Sequence, residues 1–165
     1  MRIGLLFSAS LLFAGPLTAA SLSSVDGVIL SADQSKALLN QCSRGAPRHV
    51  TGMWRPTDVQ IRELERRLPA ALALKAQERG PRYTQATAFR RQYAGLLVGS
   101  RRIVYVNAFP PDVGNPAKEG TPAARVFDWH REPVIVCDGG PAFFGVEYDP
   151  QQRTFSNFEF NGPPG

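Results

Sequence analysis

Apolar side chains recur along this chain with two periods, and the change from one to the other divides it. Ile61, Leu64 and Leu68 fall at i, i+3 and i+7, one face of a helix, with Arg62, Glu63, Glu65, Arg66 and Arg67 on the other faces. Thr57-Asp58-Val59-Gln60 is a capping box at its start, and Asp58 suits the positive end of the helix dipole. Pro69 should kink or restart the helix, because it lacks the amide donor and crowds the preceding turn. Ala70 to Gln77 continues it with Leu72 and Leu74, and Gly80-Pro81 ends it. A second capping box, Ser31 to Gln34, starts an earlier helix from Ala32 to about Gln41. That helix turns Ala37, Leu38 and Leu39 inward and delivers Cys42 at its end.

From Phe89 onward the pattern becomes that of strands. Phe89 to Val98 and Arg102 to Phe109 are apolar on both faces, as a buried central pair would be. Gly99-Ser100 suits a type II′ turn between them, although two- and three-residue loops both give plausible registers. Pro133 to Gly162 reads as three short strands and two turns. Turn residues Asp138 to Pro141 would pair Ile135 with Phe144, and turn residues Pro150 to Gln152 would pair Phe144 with Phe158. Both choices gather Ile135, Cys137, Phe144, Val146, Phe158 and Phe160 on one face, expected to lie under the helices, and a one-residue slip would scatter them. The opposite face carries Val134, Val136, Phe143, Glu147, Phe155, Asn157 and Glu159. Helices followed by strands indicate an α+β fold: N-terminal helices on one face of an antiparallel sheet of about five strands, a hairpin plus a C-terminal three-strand meander.

The N-terminus changes the picture of where this fold works. Arg2, an apolar run from Ile3, the break at Gly15-Pro16 and the small residues Thr18-Ala19-Ala20 form a secretory signal-peptide pattern over residues 1–20. Residues 21–165 are then a single domain, with a loose leader over 21–27 and a Pro/Gly-rich loop over 110–124. Export to the periplasm or beyond makes a disulfide the simplest reading of the two cysteines, Cys42 and Cys137. The register agrees, since Cys137 points to the layer where the first helix leaves Cys42. No later stretch reaches the length of a membrane span.

The formal charge is +5, and all but three of the nineteen basic residues are arginine. They come as pairs, Arg66-Arg67, Arg90-Arg91 and Arg101-Arg102, and favour anionic envelope partners; export argues against nucleic acid. Candidate chemistry is sparse. Asp128, His130 and Glu132 alternate and would share a face on an extended segment, as an acid–base or metal cluster could, or as a solvated, salt-bridged approach to a strand would. No HExxH, phosphate loop or Gly-x-Ser-x-Gly elbow occurs. Asp138-Gly139-Gly140 opens no helix and so reads as turn chemistry, not a phosphate cradle. Gly145 in mid-strand marks a bulge or a close approach of another backbone. Trp54 and Trp129 flank elements and serve as packing residues or recognition anchors.

The remaining surface is the sheet face with Phe143, Phe155, Asn157 and Glu159, a binding patch unless another segment covers it. The functional expectation is an exported, soluble, non-enzymatic binding protein of the periplasm or cell envelope, needing no cofactor. Alternatives are an inhibitor or immunity-type partner of an envelope enzyme, a hydrolase or metal-dependent enzyme using Asp128, His130 and Glu132, and a binder of anionic lipid or lipopolysaccharide.

Overall fold

The computed structural model describes residues 26–78, 89–113 and 128–162. The signal-peptide segment, the Gly80-Pro81 stop and most of the 110–124 loop lie outside the described residues. The elements are β1 (Gly27–Ile29), α1 (Ala32–Leu38), β2 (Val50–Met53), α2 (Asp58–Gln77), β3 (Arg90–Val98), β4 (Arg101–Phe109), β5 (Phe144–Asp149) and β6 (Thr154–Phe160). The fold is α+β. Its sheet runs β1-β3-β4-β5-β6, with β2 also on β3, and only the β1–β3 pair is parallel.

Both helices begin with reciprocal caps. Ser31 and Gln34 exchange side-chain and backbone hydrogen bonds, as do Thr57 and Gln60, which satisfies amides that a helix start otherwise leaves open. α1 is shorter than expected and ends at Leu38, with Ser35 and Leu38 buried. α2 runs through Pro69 without the expected restart. Pro69 lies on the exposed side, while Leu64, Leu68, Leu72 and Ala76 are buried on both sides of it. Burial of that stripe, on the order of 1.5–3 kcal/mol per large side chain, offsets one lost helical hydrogen bond.

β3 and β4 form a hairpin with a two-residue turn, Val98 opposite Arg101, which settles the register the sequence left open. Gly99 takes φ +60, as the first central position of a type II′ turn requires. The other edge of β3 is shared: β1 lies beside Arg91–Tyr93 and β2 beside Leu96–Val98. Between them the chain crosses at Trp54, whose amide donates to the Gly95 carbonyl at 3.0 Å. A Cβ on Gly95 would lie 2.1 Å from the Trp54 carbonyl oxygen and 2.7 Å from Pro56. Gly95→Ala is therefore expected to destabilise by roughly 3 kcal/mol, the upper end for overpacking, because the obstacle is backbone. Urea unfolding of the two proteins checks this, and an unchanged midpoint would contradict it.

Alternation along β3 and β4 builds two cores. Tyr93, Val104, Val106 and Ala108 face α2 with Phe144, Val146, Tyr148 and Phe160. Ala94, Leu96, Ile103 and Tyr105 face the other way, against Leu38 of α1. The two helices thus lie on opposite faces of the sheet, not together on one. Short β1 and β2 strands on the β3 edge separate them, and α1 follows β1 onto the far side. A third cluster, Phe109, Trp129, Val134 and Phe143, extends the α1 side.

The expected first strand of the C-terminal meander, around Pro133 to Cys137, is irregular chain instead. Ile135 and Cys137 are exposed and do not lie under a helix. The true meander is β4-β5-β6, and its register also differs: Phe144 pairs with Phe160, not Phe158. The β5–β6 turn has four residues, since Asp149 pairs with Thr154, and a bulge falls between Gly145 and Glu147 opposite Asn157, at φ +50.

Candidate functional site

Cys42 and Cys137 form a disulfide, with Cα atoms 4.9 Å apart and a sequence separation of 95. It joins the exit of α1 to the irregular segment that covers the same side of the sheet. Beneath that cover lies a polar network that no pattern along the chain announced. Arg44 donates through Nε to the Tyr105 hydroxyl at 3.2 Å and through its other two nitrogens to the side-chain oxygens of Asn161 and Asn107. Asn107 in turn donates to Gln92 at 3.1 Å and to the Val134 carbonyl at 2.9 Å. Gln92 donates to the Trp129 and Glu132 carbonyls and accepts from the Val134 amide. Asn161 donates to the carbonyls of Val136 and Asp138. Gly145 makes room for the guanidinium: a Cβ there would lie 2.7 Å from Arg44 Nε and 2.4 Å from the Tyr105 hydroxyl. The one available signal was Gln92 and Asn107, two amides at inward positions of otherwise apolar strands. Buried polar groups of that kind demand partners.

The four residues of the expected binding face separate. Phe143 is only 9% exposed and packs with Phe109, Trp129 and Val134. Phe155 turns to the α2 side, its ring 4.9 Å from that of Tyr148. The bulge causes this: an extra residue at Asn157 lets Phe155 and Phe158 face the same way although three positions apart. Asn157 and Glu159 remain exposed and line a polar pocket of 340 Å³ with Arg48, Arg101, Tyr105 and Glu147. Its polar groups are largely held by one another. Asn157 donates to Glu147 at 2.9 Å, and the Gly45 amide donates to Glu159 at 2.7 Å.

The Asp128–His130–Glu132 stretch is a turn, not an extended segment. The Arg131 and Glu132 amides donate to the Asp128 carbonyl, and the His130 amide donates to its carboxylate at 3.1 Å. The His130 and Asp128 side chains are 60% and 48% exposed, and His130 Nδ1 lies 3.2 Å from the Asp128 carboxylate, so two of the three groups meet at an exposed turn. Among the described residues no cluster of three or more His, Cys, Asp or Glu side chains is placed to hold a metal. His49, at φ +56, sits in an exposed loop. Trp129 caps the third core cluster with Arg90 over its ring, and the Trp54 indole donates to the carbonyls of Leu96 and Ile103. Gly139 and Gly140 adopt positive φ, as turn chemistry requires.

The arginine pairs do not gather on one face. Arg90 pairs with Asp26, and Arg102 lies over Trp54. Arg91 is buried against Glu65 of α2 at 3.3 Å, and the Tyr93 hydroxyl donates to the same carboxylate at 2.7 Å. Burial pushes the Glu65 carboxyl above its ordinary value, outweighing the opposing effects of Arg91 and the Tyr93 hydrogen bond. A raised folded-state pKa means the folded chain holds the proton more tightly. Glu65's contribution to stability is therefore fullest below about 4.5, the unfolded value, and is lost as pH rises through the folded one. The stability of wild type relative to Glu65→Gln should accordingly fall as pH rises from about 4, and level off once the carboxyl is ionised in the folded chain too. Thermal melts of both proteins across that range check it, and a rising difference would mean Arg91 dominates.

A second concavity of 710 Å³ lies between α2 and β6, an end strand of the sheet. Ala70 and Ala71 are small enough to leave a trough, into which Leu74 and the rings of Phe155 and Phe158 project. Leu74 is 68% exposed, the most exposed large apolar side chain among the described residues. Arg66, Arg67, Lys75 and Arg153 edge this groove, with Glu78 the one acid in the lining. Among the described residues no helix is long and apolar enough to cross a membrane. The chain matches no protein-family model, no characterised protein and no solved structure, so the functional reading rests on the chemistry of the groove and the pocket.

Proposed function

We propose that this chain is an exported, soluble, non-enzymatic binding protein of the periplasm or cell envelope, and that the α2–β6 groove is its binding site. The observation that carries this reading is an open groove of 710 Å³ lined by Leu74, Phe155 and Phe158, beside three apolar clusters that are buried among the described residues. Concave sites of that size with an apolar floor and a few polar groups are the usual form of a small-ligand site. The disulfide supports the compartment, since such bonds persist where the environment is oxidising, and the signal-peptide pattern of residues 1–20 points the same way.

Two measurements test the reading. N-terminal sequencing of the protein from a periplasmic fraction is expected to begin near Ser21; a chain starting at Met1 contradicts export. Immobilised wild-type protein is expected to retain an envelope component that Leu74→Asp does not. Equal retention by both proteins removes the groove as the site.

A further inference from the structure

The groove carries more than an apolar floor, and its charges indicate what would lie in it. Glu63 serves two guanidiniums at once, receiving Arg66 Nη2 at 2.8 Å and Arg67 Nε at 2.5 Å. The two arginines hold the Glu63 carboxyl down at about 2, so it stays ionised, yet one carboxylate cannot neutralise both. Lys75 is balanced by Glu78 at 2.6 Å. Arg153 has no ion-pair partner among the described residues. The mouth of the groove is thus left with a surplus of positive charge, carried by guanidiniums, beside exposed apolar surface. Guanidinium forks match phosphate oxygens in a way that a point charge does not. Exposed ion pairs such as Arg66–Glu63 contribute little, so exchanging one for a ligand phosphate costs little.

We infer that the α2–β6 groove binds a phosphate-headed single-chain amphiphile, its acyl chain along Leu74, Phe155 and Phe158 and its phosphate at Arg66, Arg67 and Arg153. This rests on the reading of the chain as a binding protein acting through the groove. A peptide laid as an added strand along β6 fits less well, because the bulge at Asn157 breaks the regular edge such pairing needs. The apolar floor also excludes free phosphate as the full ligand, since Leu74 and the two rings would gain nothing from it.

The test is calorimetric titration of the oxidised mature chain, residues 21–165, with monomeric dodecyl phosphate. Inorganic phosphate and the neutral-headed dodecyl maltoside serve as the other two probes. One dodecyl phosphate per chain is expected, with affinity at least about tenfold above that for either control, a difference of about 1.4 kcal/mol. Raising ionic strength from about 0.01 M to about 0.15 M, which shortens the screening length from about 30 to about 8 Å, should weaken it. Leu74→Asp should abolish binding, and Arg66→Ala with Arg153→Asn should weaken it about tenfold or more. All three positions are exposed, and unchanged melting temperatures would confirm that the variants fold. Equal binding of dodecyl maltoside overturns the phosphate, and binding unaffected by Leu74→Asp overturns the site. If dodecyl phosphate fails to bind but Leu74-dependent retention of an envelope component persists, the amphiphile is wrong and the binding-protein reading stands. If both fail, both fall.

Discussion

Replacing Cys42 and Cys137 together with serine is expected to lower the unfolding free energy by about 4.7 kcal/mol, the chain-entropy figure for a loop near this length. The bond closes a separation of 95 residues, which includes α2, β3 and β4. Its loss frees the denatured chain far more than it disturbs the folded one, because both cysteines are exposed and no core side chain is removed. Unfolding in urea with and without reductant, beside the double variant, measures this. Reductant and the double substitution should give the same midpoint. A loss under about 1 kcal/mol would mean that residual structure already holds the unfolded chain together.

Arg44→Met is the second large effect, expected to cost about 3 kcal/mol, because it leaves the acceptors of a part-buried hydrogen-bond network without their one charged donor. The substitution keeps much of the side-chain volume but removes three donations, to Tyr105, Asn107 and Asn161. Asn107 and Asn161 hold the 129–138 segment through the carbonyls of Val134, Val136 and Asp138. Their orphaned oxygens would each carry a desolvation cost of about 1–3 kcal/mol unless the segment opens to water. Hydrogen exchange at the Val134 amide, which donates to Gln92 at 2.8 Å, should therefore accelerate more than exchange in α2. Uniform acceleration would show global destabilisation without the local release described here.

Much of the scaffold was legible because it is local. The capping boxes at Ser31 and Thr57, the stripe through Leu64 and Leu68, and the Gly99-Ser100 turn each encode their own geometry within a few residues. The cysteines paired as expected, although the register argument offered for them was not the reason: Cys137 lies in irregular chain, not on a strand facing a helix. Val134-Ile135-Val136 looks like a strand because apolar β-branched runs normally satisfy their backbone through a ladder. Here the partners are side-chain amides, Gln92, Asn107 and Asn161, far away in sequence, and no pattern within the run announces that. The same distance hid Arg44, which sits in a Gly- and Pro-containing loop and acquires its role only when β4 and the end of β6 bring its acceptors together.

The candidate site was half legible for a related reason. Phe155, Asn157 and Glu159 were marked as a surface, but strict alternation put Phe155 beside Phe143 and Phe158 in the core. One extra residue at the bulge rotates Phe155 to join Phe158 and opens the groove toward α2 instead. In the sequence Leu74 only continues the helix with Leu72, and no face is assigned to it. Its offset from Leu72 turns it away from the buried stripe and into the trough beside Ala70 and Ala71.

The most direct test of groove binding is a backbone amide chemical-shift map of the isotope-labelled chain during titration with dodecyl phosphate. A saturable set of shifts is predicted at Ala70, Ala71, Leu74, Arg153, Phe155 and Phe158. The polar pocket around Arg48 and Glu159 and the turn at Asp128–His130 should stay in place. Shifts confined to that pocket or that turn, with the α2–β6 groove unmoved, would contradict it.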